Sequence, residues 1–309
     1  MTSPFGPLSL IVNPQAGGRK GTRRLDRLRR TLDGSGLEHE VRPTEGPGDA
    51  TRLARQVLSD GGRFVVAVGG DGTVHEVVNG MLDAAGGPVA PGAVLGVVAA
   101  GSGCDFVRTF GLPSGAVPAA GRLAGDAVRT IDVARIGYLD AGGQAVTRYF
   151  ANIAEAGLGA TTAARAIVMP RVLGQSRYLA AFWAVLPGYR PGTARIDVDG
   201  VTAYEGRAVN VVAANCRYFG GGMHISPRSE PADGSLELLV FNGRKTDSFT
   251  MLPKVYRGRH MPHRSIVELR GRTFAISADQ HLAVEADGEV LGTTPVTIDV
   301  VPSAITLKV

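Results

Sequence analysis

The stretch best suited to chemistry is Gly69-Gly70-Asp71-Gly72-Thr73, which follows the apolar run 64–68 and precedes a helical pattern of valines. Glycines let the backbone approach a phosphate closely, and the helix that follows offers free N–H groups and the positive end of its dipole. A carboxylate there repels phosphate unless Mg²⁺ or its waters lie between them. The stretch therefore predicts a nucleotide-phosphate site with magnesium or, more plainly, a tight turn.

Strands and helices alternate through the first part of the chain, and this alternation would position the glycine turn. Such alternation predicts a mostly parallel, doubly wound α/β sheet, and the near-continuous apolar strands fit burial on both faces. Ligands of these sheets bind at the carboxyl ends of the strands. The β-like runs are 8–12, 38–41, 64–68 and 93–101, and glycine clusters follow at 17–18, 69–72 and 101–103.

After about Thr130 the pattern changes to short β-like runs between turns, which predicts an antiparallel, sandwich-like or barrel-like domain. The main exception is the apolar, helical segment 172–189. We therefore expect an α/β domain over 1–131 and a β-rich domain over 132–309. The sequence leaves open whether the last strand returns to the first domain.

Composition narrows the class of protein. The 309 residues carry a formal net charge of +5, which permits anionic partners, and the basic residues concentrate at 19–30 on a helix with a leucine stripe. That helix is either a solvated face or a face toward phosphates or an anionic membrane. The chain has no P-loop, its glycine turn fails the dinucleotide pattern at His75, and Cys104 and Cys216 suggest buried small residues. Without an apolar run of membrane length or a signal-like start, we expect a cytoplasmic protein.

The ordered motifs resemble the diacylglycerol kinase catalytic-domain superfamily, which includes bacterial diacylglycerol kinases and sphingosine kinases. The resemblance spans nearly the whole chain, and GGDGTVHEVVNG (69–80) is its most recognisable block. It implies an ATP-dependent lipid kinase that acts most naturally on diacylglycerol, with ATP–Mg²⁺ in a cleft between the domains. The other blocks are IVNPQAGG (11–18), PTEGPGDA (43–50), GSGCDFVRTFGLP (101–113), GGGMHISPRSEPADGSLELLVF (220–241) and the C-terminal EADGEVLGTTPVTIDVVPSAITLKV.

The resemblance also implies roles for individual residues. Glu289 would be the general base and Asp71 would lie near the magnesium ion. Asp233 would bind a structural Mg²⁺ with the backbone carbonyls of Glu230 and Ser235, and Asp132 would join a magnesium–water network. The implied nucleotide contacts are Asn13, Pro14, Gly17, Thr44, Gly69, Gly70, Asp71, Gly72, Thr73, His75 and Ser102.

Residue patterns alone leave several of these roles open. Glu289 is simply a strand residue after an Asp-Gly type I′ hairpin turn, and Asp233 is also a typical turn former. Asp105 could cap or brace the helix near Ser102, and His75, expected to be exposed, could equally have a helix-surface role. The helix at 172–189 either covers the core or forms a lid over a lipid cleft with Phe182 and Trp183.

Departures from the family pattern keep alternative functions open. Cys104 replaces the usual asparagine, and Arg228 and Pro231 alter the stretch around the expected structural metal. The alternatives are a kinase of a sphingoid base, another glycerolipid or a soluble alcohol, and a regulator that binds nucleotide or lipid without catalysis. A nucleic-acid binder fits worst, since the basic charge is local and no aromatic platform is present. The expected partners are ATP, the lipid and, transiently, an anionic membrane at the inner face, and a homodimer is compatible with the sequence.

Overall fold

A computed structural model describes residues 3–100, 104–113, 115–140, 142–170 and 176–309. The chain divides into two compact units. Unit 1 comprises Met1–Val133 together with Pro302–Val309, and unit 2 comprises Ala134–Val301. The last eight residues therefore belong to the same unit as the N-terminal half of the chain.

Unit 1 is built on a parallel sheet whose strands follow the order β2-β1-β3-β4. Apolar side chains fill these strands, and all six residues of β3 are buried, as expected for a sheet covered on both faces. The predicted parallel sheet is therefore confirmed. The strands are β1 (Leu8–Val12), β2 (His39–Pro43), β3 (Phe64–Gly69) and β4 (Val94–Ala99).

Helices cover both faces of this sheet. On one face, Leu28 and Leu32 of the basic helix are buried against β1 and β3, and Leu25 packs beside them, so the predicted leucine stripe is confirmed. Valines of the helix that follows the glycine turn are buried as well. The helices of unit 1 are α1 (Gly18–Gly34), α2 (Asp49–Ser59), α3 (Asp71–Met81), α4 (Asp105–Thr109) and α5 (Ala116–Ala124).

Unit 2 is a β-sandwich whose two antiparallel sheets share the long strand β15. One sheet has the order β12-β11-β10-β7-β14-β15, and the other joins β9, β8, β13, β15, β5 and β6. Inward-facing residues of both sheets, such as Ile136, Phe150 and Ile276, form one core. The strands are β5 (Val128–Leu139), β6 (Ala145–Phe150), β7 (Ile153–Gly157), β8 (Gly192–Val198), β9 (Val201–Ala208), β10 (Asn210–Ala214), β11 (Leu236–Phe241), β12 (Ile266–Gly271), β13 (Thr273–Ala278), β14 (Ala283–Ala286) and β15 (Glu289–Lys308).

The described part of unit 2 also has three helices, of which the sequence indicates only one. The predicted helix is α7 (Ser176–Val185), whereas α6 (Leu158–Ile167) and α8 (Asp247–Tyr256) were not expected. The sequence of α6 is rich in alanine and threonine, and α8 contains Pro253, so neither shows a strong apolar stripe. No helix among the described residues is long and apolar enough to span a bilayer.

The end of β15 is anchored in unit 1. Thr306 and Leu307 pair with β4 in the parallel direction. The buried Lys308 donates through Nζ to the carbonyl oxygens of Ala127 and Val309, at 2.7 and 2.8 Å. The Arg122 guanidinium donates to the carbonyl of Lys308, and burial lowers its pKa to about 10. The end of β15 is therefore held by backbone pairing, by a buried lysine and by a half-buried arginine.

Candidate functional site

The loops after β1 and β2 begin at the carboxyl end of the parallel sheet. The Asn13 N–H donates to the Val68 carbonyl at 3.1 Å, and the Thr44 N–H donates to the Val12 carbonyl at 2.8 Å. Both expected nucleotide residues therefore lie where neighbouring strands of one sheet end. This edge is where ligands of such sheets bind.

The loop between β1 and α1 needs glycine at its end. Gly17 has a φ of 73°, and a Cβ added to it would lie 2.5 Å from the Ala100 carbonyl oxygen after β4. Pro14 lies in the turn before it, and Asn13 Oδ1 accepts from the Gln15 N–H at 2.9 Å. The loop therefore packs directly on the segment that follows β4.

The glycines of the turn after β3 have different reasons to be glycine. A Cβ on Gly69 would lie 2.2 Å from Thr73 Oγ1, so close packing requires glycine there. A Cβ on Gly70 or Gly72 would meet nothing within 4 Å, and neither residue has a positive φ. Neither packing nor backbone strain within unit 1 thus demands glycine at 70 and 72. Open space beside the start of α3 is what an approaching phosphate needs.

Asp71 binds the start of another helix. Its Oδ2 accepts from the Asp105 N–H at 3.0 Å, and its Oδ1 accepts from the Phe106 N–H at 3.0 Å. The carboxylate thus accepts from N–H groups that have no partner within α4. Its negative charge also interacts favourably with the positive end of the helix dipole. Asp71 therefore fixes the position of α4 relative to the glycine turn. Asp105 pairs with Arg108, at 2.5 Å, and does not supply the cap.

Cys104 keeps a donor at the position where the resembled motif has asparagine. Its Sγ lies 3.4 Å from Asp71 Oδ1 and donates to it. Burial, together with the nearby charge of Asp71, raises the pKa of the Cys104 thiol well above its usual range. The thiol therefore stays protonated and supports Asp71, and both Cys104 and Cys216 are buried as predicted.

Two further residues of α3 differ from expectation. The prediction that His75 is exposed is wrong, since its side chain is 5% exposed and packs within unit 1. Glu76, which the sequence did not single out, accepts from the Gly48 N–H at 2.9 Å and the Ala50 N–H at 3.0 Å. It thereby caps α2 as Asp71 caps α4. Helix α3 thus positions both neighbouring loops through carboxylates.

Two other residues that the resemblance implies at the site are Ser102 and Asp132. Ser102 lies outside the described residues. Asp132 is buried in β5, and its Oδ1 accepts from the N–H of Ser303, which has a φ of 54°. Its carboxylate therefore supports a left-handed backbone position in β15.

Glu289 begins β15 directly after a tight hairpin turn in unit 2. Ala286 pairs with Glu289, and Asp287 and Gly288 have φ values of 50° and 90°, which confirms the predicted type I′ turn. The Asp287 carboxylate accepts from three consecutive N–H groups, at 2.8 to 3.0 Å, those of Ala151, Asn152 and Ile153. Glu289 itself is exposed. The hairpin therefore presents an accessible carboxylate from an anchored turn.

The residues expected to bind a structural magnesium ion do not fit one. Asp233 Oδ2 lies 2.6 Å from the Arg270 guanidinium, and Asp233 Oδ1 accepts from the Ser235 N–H and hydroxyl. The Glu230 carbonyl accepts from the Ala232 N–H at 2.8 Å. A cationic side chain thus occupies the carboxylate that Mg²⁺ would need. Within the described ranges, no three His, Cys, Asp or Glu residues form a group suited to a metal.

An apolar cavity of about 120 Å³ lies within unit 2. Its polar lining includes Glu155, Tyr178 and Asn210. Helix α7 contributes Tyr178, Leu179 and Phe182 to the wall. The apolar lining includes Leu158, Phe182, Phe219, Met223, Met251 and Leu252.

Comparisons with known families match both parts of the chain. Residues 7–136 match the diacylglycerol kinase catalytic domain, and residues 152–309 match the YegS C-terminal NAD kinase beta sandwich-like domain. The two matched segments cover most of unit 1 and most of unit 2.

Individual relatives agree with these matches. The chain is 27% identical over 289 residues to a diacylglycerol kinase of Bacillus subtilis, covering 93% of this chain and 90% of that protein. It is 30% identical over 259 residues to a diacylglycerol kinase of Mycobacterium tuberculosis, covering 83% and 80%. A crystal structure of a putative diacylglycerol kinase from Bacillus anthracis aligns with a TM-score of 0.79 at 24% identity, over 98% of this chain and 94% of the other.

Proposed function

Because this chain belongs to the diacylglycerol kinase catalytic-domain superfamily and is a phosphotransferase with an alcohol acceptor, we propose that its substrates are ATP and a lipid. The γ-phosphate passes to a lipid hydroxyl. The acceptor is diacylglycerol and the product is phosphatidic acid.

The apolar cavity of unit 2 is the observation that carries the choice of a lipid. A soluble polyol has no apolar part that can pack against the phenylalanine, methionine and leucine side chains of the cavity wall. An acyl chain removes its own apolar surface and that of the wall from water. The cavity therefore favours a lipid acceptor over a soluble alcohol.

The open space at Gly70 and Gly72 supports the nucleotide half of the proposal. The phosphates bind at this turn and at the N-terminus of α3, and the loops around Asn13, Gly17 and Thr44 hold the nucleotide. Magnesium enters as part of the ATP–Mg²⁺ substrate and offsets phosphate charge.

Glu289 is the general base of the proposed reaction. Its exposed carboxylate takes the proton of the lipid hydroxyl while that oxygen bonds to the γ-phosphorus. The bond from this phosphorus to the bridging oxygen breaks, and its electron pair leaves with ADP. Positioning and phosphate contacts contribute most of the rate, and the base adds to them.

Phosphate transfer from labelled ATP to a panel of lipids in mixed micelles with Mg²⁺ tests this function. The expected result is labelled phosphatidic acid from diacylglycerol, and its loss in Glu289→Ala. Transfer to a sphingoid base in preference to diacylglycerol would show that the acceptor is a sphingoid base. ATP binding without transfer to any lipid or alcohol would favour a regulator that lacks catalysis.

A kinase whose substrate is a membrane lipid has to bind the membrane surface to reach that substrate. We place the enzyme in the cytoplasm, where it contacts the inner face of the membrane transiently. The exposed arginines of α1, including Arg23, Arg27 and Arg30, suit an anionic lipid surface.

Reversing one of these charges should weaken membrane binding. We expect Arg27→Glu to lower binding to anionic vesicles about tenfold or more at low salt, since each basic residue near such a surface contributes about 1 kcal/mol and reversal counts twice. Vesicle sedimentation at several salt concentrations measures this. Arg207→Glu, at an exposed position of β9, is the matched control and should bind as wild type. Salt-independent binding would contradict the role of α1.

A further inference from the structure

Two buried glutamates face each other beside the cavity of unit 2. Glu155 in β7 and Glu285 in β14 are direct partners in the antiparallel register, and each is 3% exposed. Directly opposed residues of an antiparallel pair place their side chains on the same face of the sheet. Their neighbours Ala154, Ala156 and Val284 belong to the sandwich core, so the two carboxyl groups lie on the opposite face.

The pair belongs to a small hydrogen-bonded group, here called the inner polar cluster, which consists of Glu155, Glu285, Asn210 and Tyr178. Asn210 Nδ2 donates to Glu155 Oε1 at 2.7 Å, and the Tyr178 hydroxyl lies 3.5 Å from Glu155 Oε2. The two carboxyl groups interact directly across this register. Three of the four members, all except Glu285, line the cavity.

The inner polar cluster contains no basic group. No lysine, arginine or histidine of the described residues lies within ion-pair distance of Glu155 or Glu285. Two adjacent carboxylates without a cation repel each other, so ionisation of both is disfavoured. Burial raises the pKa of Glu155 to about 7 and raises the pKa of Glu285 well above its usual range.

The position of the Glu155 carboxyl is narrowly fixed. A Cβ on Gly159, in the first turn of α6, would lie 2.3 Å from Glu155 Oε2. Asn210 Oδ1 accepts from the Gly159 N–H at 2.9 Å. The carboxyl is thus confined between α6 and β10, and a fixed polar group in an apolar wall specifies the orientation of a ligand.

We propose that the inner polar cluster recognises an uncharged oxygen group of the lipid, an ester carbonyl or a hydroxyl, through the protonated carboxyl of Glu155. Glu285 is a positioning residue that lies against the Glu155 carboxyl and disfavours its ionisation. This rests on the proposed function, since it names what selects the acceptor. A neutral glycerolipid fits the cluster, and its ester groups accept the hydrogen bond that the acid donates.

The inference predicts a pH dependence of lipid binding. Below about pH 7, Glu155 carries the proton and can donate it, and as pH rises through that value the donor is lost and a buried negative charge appears. Affinity for a neutral lipid should therefore fall with rising pH. The other ionisable residues that line the cavity are Tyr178, Tyr256, Arg244 and Asp247. His260 forms a hydrogen bond with the carbonyl oxygen of Ile225, which also lines the cavity. Glu155→Gln retains all of them, so it isolates the contribution of Glu155.

Trp183, the only tryptophan of the chain, provides a binding signal that does not require ATP. It packs with Leu158 and Val209, which line the cavity. Dioctanoylglycerol is titrated into the 309-residue chain from pH 6 to 8.5. For wild type we expect the Kd to rise at least fivefold over this range, whereas for Glu155→Gln it should stay within twofold. Glu155→Leu should bind at least tenfold more weakly at pH 6, having lost the hydrogen bond.

The outcomes separate this inference from the proposed function. The same pH trend in wild type and Glu155→Gln would overturn the inference, as would tighter binding of a long-chain amine than of the glycerolipid, with preference for the amine increasing at high pH. Folding failure of Glu155→Leu leaves the comparison with Glu155→Gln decisive. If lipid binding behaves as expected but no phosphate is transferred, the proposed function fails and the recognition site stands.

Discussion

Asp71→Ala should lower phosphate transfer at least about 100-fold and destabilise the protein by about 2–4 kcal/mol. The stability loss arises because two N–H groups at the start of α4 lose a charged acceptor. The rate falls because α4 and the glycine turn are no longer held together, and small misplacements at a phosphate site have effects of this size. Urea unfolding and transfer assays on the folded protein measure the two quantities. For Asp71→Asn we expect a transfer rate and a stability between those of wild type and Asp71→Ala, since its amide has one acceptor oxygen.

Asp199→Ala is the matched control for Asp71. The Asp199 carboxylate also accepts from two backbone N–H groups, those of Arg272 and Thr273, each at 2.9 Å, but it belongs to a hairpin of unit 2. The Asp199→Ala variant should be less stable than wild type, but its folded molecules should transfer phosphate at the wild-type rate. Near-normal transfer by Asp71→Ala would show that neither the carboxylate nor the position of α4 matters to the reaction.

Asp287→Ala should be the most destabilising of the proposed variants, at about 3–5 kcal/mol. Three backbone N–H groups would lose one charged acceptor, and alanine would be forced into a left-handed conformation with a φ near 50°. Transfer should fall at least about 100-fold, because Glu289 lies two residues further along the same turn. Thermal or urea unfolding together with transfer assays measures both effects.

Glu289→Ala separates the base from its support. Glu289 is exposed, so its removal should change stability by less than about 0.5 kcal/mol while transfer falls by about 10²–10⁴-fold. Asp287→Asn tolerates the left-handed conformation and should recover part of the stability lost in Asp287→Ala. A stable, fully active Asp287→Ala would disprove the anchoring role of this carboxylate.

Local patterns were sufficient to predict much of the fold. The alternation of apolar runs and helical stripes predicted the strands and helices of unit 1 up to α4, and Asp287-Gly288 predicted its hairpin turn. These features depend on neighbours close in sequence, where periodicity and turn preferences act directly. The strand β9 and the helices α5, α6 and α8 were missed, because their apolar patterns are interrupted or rich in alanine.

Contacts between distant residues could not be read from the sequence. The acceptor role of Asp71 depends on α4, which starts 34 residues later, and the partners Glu155 and Glu285 are 130 residues apart. The arginine beside Asp233 comes from β12, and the sequence gives no sign of that pairing. The family resemblance named Asp71 and Asp233, but only the fold supplies their partners.

The return of β15 to unit 1 determines when that unit can be completed during protein synthesis. A ribosome makes the four strands β1 to β4 first, then all of unit 2, and only afterwards the residues from Pro302 that pair with β4. Until then, β4 carries an exposed hydrogen-bonding edge, which is open to pairing with other chains. Unit 1, which carries the glycine turn, is therefore completed only after unit 2 has been translated. Both units of the enzyme thus become complete at nearly the same point of protein synthesis.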